Sequence, residues 1–257
     1  LFRGNRSQAR RLILDAQDRG MDPTKLLTTL VWSAMEQIDN LYRANQISRV
    51  VAQMATRINR QVADQVQLAL PTSQKNGKRM VLVSGAGEMS ELGTQITADV
   101  FEAHGWTVWF LGSELPNDEI LQFVGQVEPD VLCFYGATPT EAPIVRKLLD
   151  TIRQIGVCPD MQVMLSGGVF NRAEGLAEEI HADLFAPDPI SAIAVIESHP
   201  TKEELVDAPQ PGRRRKTKKT DTEADLKLAK TIADGKDVKT DVEKAVKSAT
   251  RRSKLAS

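Results

Sequence analysis

The sequence predicts an α/β protein in which a flavodoxin-like, five-stranded parallel sheet is preceded by an all-α helical bundle cap. Two patterns carry that expectation. Residues 1–78 show the helical period throughout, whereas residues 79–199 alternate short apolar runs with amphipathic stretches. Charge divides the chain at the same places. Lys+Arg against Asp+Glu number 12 to 6 in residues 1–78, 5 to 18 in 79–199 and 16 to 10 in 200–257. An acidic middle region between two basic ones is hidden within a net charge of -1, and opposite potentials of this kind favour contact between regions.

In the cap, apolar residues recur at helical spacing in Leu12, Ile13 and Ala16, then from Leu26 to Leu41, then from Ile47 to Val66. Asp22-Pro23 supplies an N-cap acceptor before a proline at the first helical position, and Ser48 is placed to cap the third helix. A helix from Ser48 to Leu68 would be about 30 Å long. Strands are expected near 79–84, 107–111, 130–135, 162–166 and 183–186. Ligands of such sheets bind at the carboxyl ends of the strands, where Gly85, Gly87, Glu88, Ser90, Gly136, Thr138, Gly167 and Gly168 fall.

Residues 200–257 hold no aromatic residue and few apolar ones, a composition that argues for a disordered tail. Its run Arg213, Arg214, Arg215, Lys216, Lys218 and Lys219 offers an acidic partner or a nucleic acid a basic surface, and ordinary solvation is the commoner role of such a run. No apolar segment approaches the roughly 18 residues needed to span a bilayer, and no signal peptide is recognisable. A cytosolic location is therefore expected. Cys133 and Cys158 lack paired spacing for zinc or a disulfide. The chain opens on Leu1-Phe2, which points to a segment upstream.

Three stretches narrow the reading further. They are Met80–Val83 running into Ser84-Gly85-Ala86-Gly87-Glu88-Met89-Ser90-Glu91-Leu92-Gly93, then Asp130–Ala137, then Val163-Met164-Leu165-Ser166-Gly167-Gly168. Together they resemble the cobalamin-binding domain of methionine synthase and its regulatory relatives. Trp32–Ser48 resembles the helical cap that precedes that domain. The resemblance implies a ligand held between cap and strand ends, contacted by Tyr42, Gly85, Gly87, Glu88, Met89, Ser90, Gly93, Tyr135, Gly136, Thr138, Gly167 and Gly168. It also exposes departures. The family loop reads Asp-x-His-x-x-Gly, and here Glu88 and Gly93 fill the outer places while Ser90 stands where the cobalt-ligating imidazole belongs. Tyr135 replaces a small serine beside the slot for the nucleotide tail. In the cap, Tyr42 stands for a Trp and Ala52-Gln53 for a Glu-His pair.

Read from the residues alone, Ser90 is expected to cap a helix starting at Glu91. His104, His181 and His199 fall away from the crevice, so no histidine is placed to ligate cobalt. Cobalamin is doubtful and would keep its own benzimidazole on cobalt; a haem held by Met89 is a weaker option, since packing is the usual role of such a methionine. Glu88, Glu91 and Glu141 reach the crevice without any nucleophile, base and orienter arrangement, so no catalytic residue and no enzyme activity is assigned. The leading functional reading is a cobalamin-domain protein of regulatory or sensory type. A cofactor-free interaction module of the same fold comes second, and a corrinoid carrier for a methyltransferase third.

Overall fold

The computed structural model describes residues 1–136 and 138–202. Helix α1 (Arg6–Asp18) is capped by Asn5, which accepts from the Gln8 N–H. Asp22 caps α2 (Pro23–Lys25) by accepting from the Lys25 N–H at 2.8 Å, as the Asp-Pro pair predicts. The apolar run beyond it is not one regular helix, however. A π-helical stretch, Leu26–Val31, intervenes before α3 (Trp32–Arg43). Its wider turn buries Leu26, Leu27 and Val31 together, leaves Leu30 exposed, and lets the Val31 carbonyl accept from the buried Asn59 Nδ2 at 2.8 Å. Helix α4 (Arg49–Gln67) begins where Ser48 accepts from the Val51 N–H.

The second region follows the expected alternation in β1 (Arg79–Ser84), α5 (Glu88–Ala103), β2 (Thr107–Gly112), α6 (Asn117–Val127), β3 (Val131–Tyr135), α7 (Ala142–Ile155), β4 (Gln162–Ser166), α8 (Gly168–Arg172), α9 (Leu176–Glu179), β5 (Leu184–Ala186) and α10 (Pro189–Ser198). All pairings are parallel and the strand order is β2-β1-β3-β4-β5. Sheet growth reverses between β1 and β3, and side chains of β3 alternate across the sheet. Val131, Cys133 and Tyr135 join α5, α10 and the cap in one apolar cluster; Leu132 and Phe134 join α6 and α7 in another. Trp32, Val62, Ala63 and Val66 of the cap share the first cluster with Leu92 and Ile96, so the cap is seated by apolar packing. No helix among the described residues is long and apolar enough to cross a membrane. The basic run at 213–219 lies outside the described residues.

One polar contact inside this seat has a pH signature. Gln67 Nε2 donates to Asp99 Oδ1 at 2.5 Å, while Asp99 Oδ2 is buried without a hydrogen-bond partner among the described residues. Desolvation, reinforced by Glu102 and opposed by the Gln67 hydrogen bond, raises the Asp99 pKa from 3.8 to about 7. Between those values the folded state holds the proton more tightly than the unfolded chain does. Stability is therefore greatest below the lower value and falls as pH rises through the upper one. Asp99→Asn should leave stability at pH 4 nearly unchanged and raise it at pH 8 by about 1–3 kcal/mol, as read by urea denaturation at the two pH values. Equal effects at both would show that Asp99 does not titrate in this window.

Candidate ligand site between the cap and the strand ends

The β1–α5 loop builds the floor of the site. Helix α5 starts at Glu88 with Gly87 as its N-cap, which corrects the expectation that Ser90 caps a helix starting at Glu91. Ser90 instead lies in the first helical turn, fully buried, and its hydroxyl donates back to the Ala86 carbonyl at 3.3 Å. Glu88 is turned toward the cap, 3.6 Å from Arg57 and 3.5 Å from Arg60. Arg60 also reaches Glu91, whose other oxygen accepts from Ser113 at 2.7 Å.

Tyr135 closes the space beneath. A methyl carbon placed on Gly93 would lie 2.2 Å from Tyr135 Cζ, so the phenol ring rests directly on the α5 backbone where only glycine fits. Trp32 meets the same ring edge-on, with centroids 6.0 Å apart and planes at 88°. Burial holds the phenol proton on well above its usual range, and it pushes the Cys133 thiol up to about 12. Neither group is poised for nucleophilic chemistry at neutral pH.

Between loop and cap remains a space of about 330 Å³. Of the residues singled out from sequence, Tyr42, Gly87, Glu88, Met89, Ser90 and Thr138 line it. Gly85 and Gly136 line a different cavity beyond the sheet edge, Gly93 lies under the Tyr135 ring, Gly167 packs on the Gly136 backbone, and Gly168 lies under the Arg172 guanidinium. Met89 packs against two apolar clusters, which accounts for it without a ligand role. The sequence reading missed residues that bridge cap and domain beside this space. Arg172 Nη1 bonds to Asp39 Oδ2 at 3.0 Å across cap and domain, and Arg43 joins the same carboxylate at 3.2 Å. Desolvation lowers the Arg172 pKa, and Asp39 counters it. A guanidinium four residues beyond a double glycine carries no periodic signal, so only the fold reveals the bridge.

His104 follows the last turn of α5, His181 precedes β5 and His199 follows α10, all clear of the space under the cap. Among the described residues no group of three or more His, Cys, Asp and Glu could hold a metal ion.

A helical cap seated over the carboxyl ends of a doubly wound sheet, with glycine-marked loops beneath it, defines a cap-and-crevice binding protein. The comparisons give the family. Residues 1–67 and residues 78–194 each match a family model described as a B12 binding domain. The chain belongs to the B12-binding domain family. It is 20% identical over 176 residues to dimethylamine corrinoid protein 1 of Methanosarcina acetivorans, covering 68% of this chain and 82% of that one. It is 22% identical over 126 residues to dimethylamine corrinoid protein 3 of Methanosarcina mazei, covering 48% and 74%. The solved monomethylamine corrinoid protein of Methanosarcina barkeri shares the fold, with a TM-score of 0.65 at 16% identity over 75% of this chain and 92% of that one.

The residues present do not fit a corrinoid held by a protein histidine with its nucleotide tail buried. The ring of Tyr135 takes the volume beside Gly93, and Ser90 is buried in the first turn of α5. That packing is directly testable. Gly93→Ala should cost about 1–3 kcal/mol or more through overpacking against the ring. In a Tyr135→Ser background the same change should cost much less, so that the pair couples strongly in a double-mutant cycle. Additive effects would show that the ring does not rest on Gly93.

Proposed function

We propose that this chain is a corrinoid-binding protein of the carrier kind that takes its corrinoid under the cap, with the benzimidazole kept on cobalt. The observation that carries the reading is the Tyr135 ring packed on Gly93, which leaves the cap-facing surface of the strand ends as the place for a corrinoid in a chain of this family. The relatives are themselves corrinoid proteins by name, which favours a carrier over the regulatory reading, for which nothing among them speaks. Tyr42, Gln53, Thr138 and Arg172 line the space and supply hydroxyl, amide and guanidinium groups that suit the amide-rich rim of a corrin. At about 330 Å³ the space admits a whole corrinoid only once the Asp39–Arg172 bridge opens and the cap lifts. Methyl transfer, where a corrinoid is bound, would be the cofactor's chemistry; the chain's own part is to hold, cover and present it.

A second reading, a cofactor-free interaction module, rests on one observation: cap and domain are already joined by apolar packing and by that bridge. Absorption spectra after mixing with hydroxocobalamin and gel filtration separate the two. The carrier reading predicts weak retention with a base-on spectrum and greater retention by Arg172→Ala. It also predicts that Ser90→His combined with Tyr135→Ser increases uptake and moves the spectrum toward nitrogen ligation by protein. A tight wild-type complex whose benzimidazole is displaced by protein would overturn it. Retention of nothing by wild type and all variants would leave the interaction module.

A further inference from the structure

A second, mostly apolar cavity lies on the sheet face opposite α5. About 280 Å³ in volume, it opens at the carboxyl ends of β1 and β3, where strand order reverses, between the β2–α6 and β3–α7 connections. Its walls are Val83, Phe134, Ile120, Val145 and Leu148 from the sheet face opposite α5, with Ile144 at 59% exposure on the rim. Into this apolar setting the fold brings Glu141. Its residue is only 8% exposed, and its Oε2 accepts from the Thr138 N–H at 3.0 Å. Its Oε1 is buried with no hydrogen-bond partner among the described residues. The carboxyl group packs so closely on Gly85 that a methyl carbon there would lie 2.3 Å from Oε1. Glu114 stands at the mouth, held in a left-handed backbone conformation with φ of 59°. Among the described residues no lysine or arginine lines the cavity.

A buried carboxylate oxygen without a donor is costly, and one charge-assisted hydrogen bond removes most of that cost. An anion is disfavoured here twice over. Both acidic side chains repel it, and the Gly85 N–H that would greet a phosphate is already given to the Tyr135 carbonyl at 2.7 Å. A metal ion is disfavoured because two carboxylates, one of them at the mouth, provide too few oxygens, and no group of three His, Cys, Asp or Glu gathers here among the described residues. We infer that this cavity binds a small organic cation, a primary or secondary ammonium on an apolar body, with its N–H directed at the Glu141 carboxyl group. The apolar walls take the body and Glu114 adds attraction at the mouth. Ala86 lines both this cavity and the space under the cap, so an occupant would lie beside the first site without entering it.

Amide NMR spectra of the full chain, titrated with benzylamine, benzyl alcohol and benzoate in the absence of any corrinoid, test the assignment. Benzylamine is expected to shift the amides of Gly85, Ala86, Leu115 and Gly136, to bind about tenfold tighter than benzyl alcohol, and to outcompete benzoate entirely. Glu141→Gln keeps an acceptor for the Thr138 N–H and should erase the preference for the amine over the alcohol. Ile144→Trp, at an exposed rim position, should weaken both while leaving the remaining spectrum in place. Benzylamine that shifts no amide of this cavity, or a preference that survives Glu141→Gln, would overturn the inference. Because cobalamin takes no part, neither result bears on the corrinoid reading.

Discussion

The contact between the Tyr135 ring and the bare Cα of Gly93 sets the limits on everything above it. An aromatic ring at the end of a central strand can be buried only if the facing helix gives up its side chain, and α5 does so at that residue. Filled in this way, the face between β3 and α5 is solid core rather than slot. The ring then offers its edge to Trp32, a T-shaped pair worth about 0.5–1.5 kcal/mol beyond the area buried. The ring that packs on Gly93 is thus also one on which the cap rests.

Charge acts as an adjunct to that packing. In the family loop an acidic residue stands two places before the ligating histidine, and with no imidazole to orient Glu88 serves Arg57 and Arg60 of the cap instead. These pairs are partly exposed, and such pairs contribute about 1 kcal/mol or less each. The Asp39–Arg172 bridge is better shielded and joins cap to sheet domain beside the space between them. Apolar packing of Trp32, Val62 and Val66 against α5 and the sheet supplies the larger share of the cohesion.

The fold was legible because its signals are periodic. All five strands fall within a residue of the expected bounds, and Asp22 and Ser48 cap the helices their side chains predict. The π-helical stretch was not legible, since Leu26–Val31 carries an apolar pattern that a regular helix would satisfy equally well until Asn59, far away in sequence, claims the Val31 carbonyl. The site was read in part. Tyr42, Gly87, Met89 and Thr138 meet under the cap, but Ser90 was misplaced because Gly87, at a positive φ of 97°, starts the helix three residues early. Arg172 went unassigned because its partner Asp39 is far away in sequence. Glu141 was placed at the crevice, but its burial against Gly85 leaves no mark on local sequence.

The corrinoid reading turns on whether a nucleotide tail contributes to binding, and cobinamide, which lacks that tail, measures it. Equilibrium dialysis of the wild-type chain against cobalamin and cobinamide in parallel gives the ratio of the two affinities. With the Tyr135 ring on Gly93, no preference for cobalamin is predicted. Cobalamin held about a hundredfold tighter than cobinamide, a difference of about 2.7 kcal/mol, would mean that the tail is buried after all and would contradict the account.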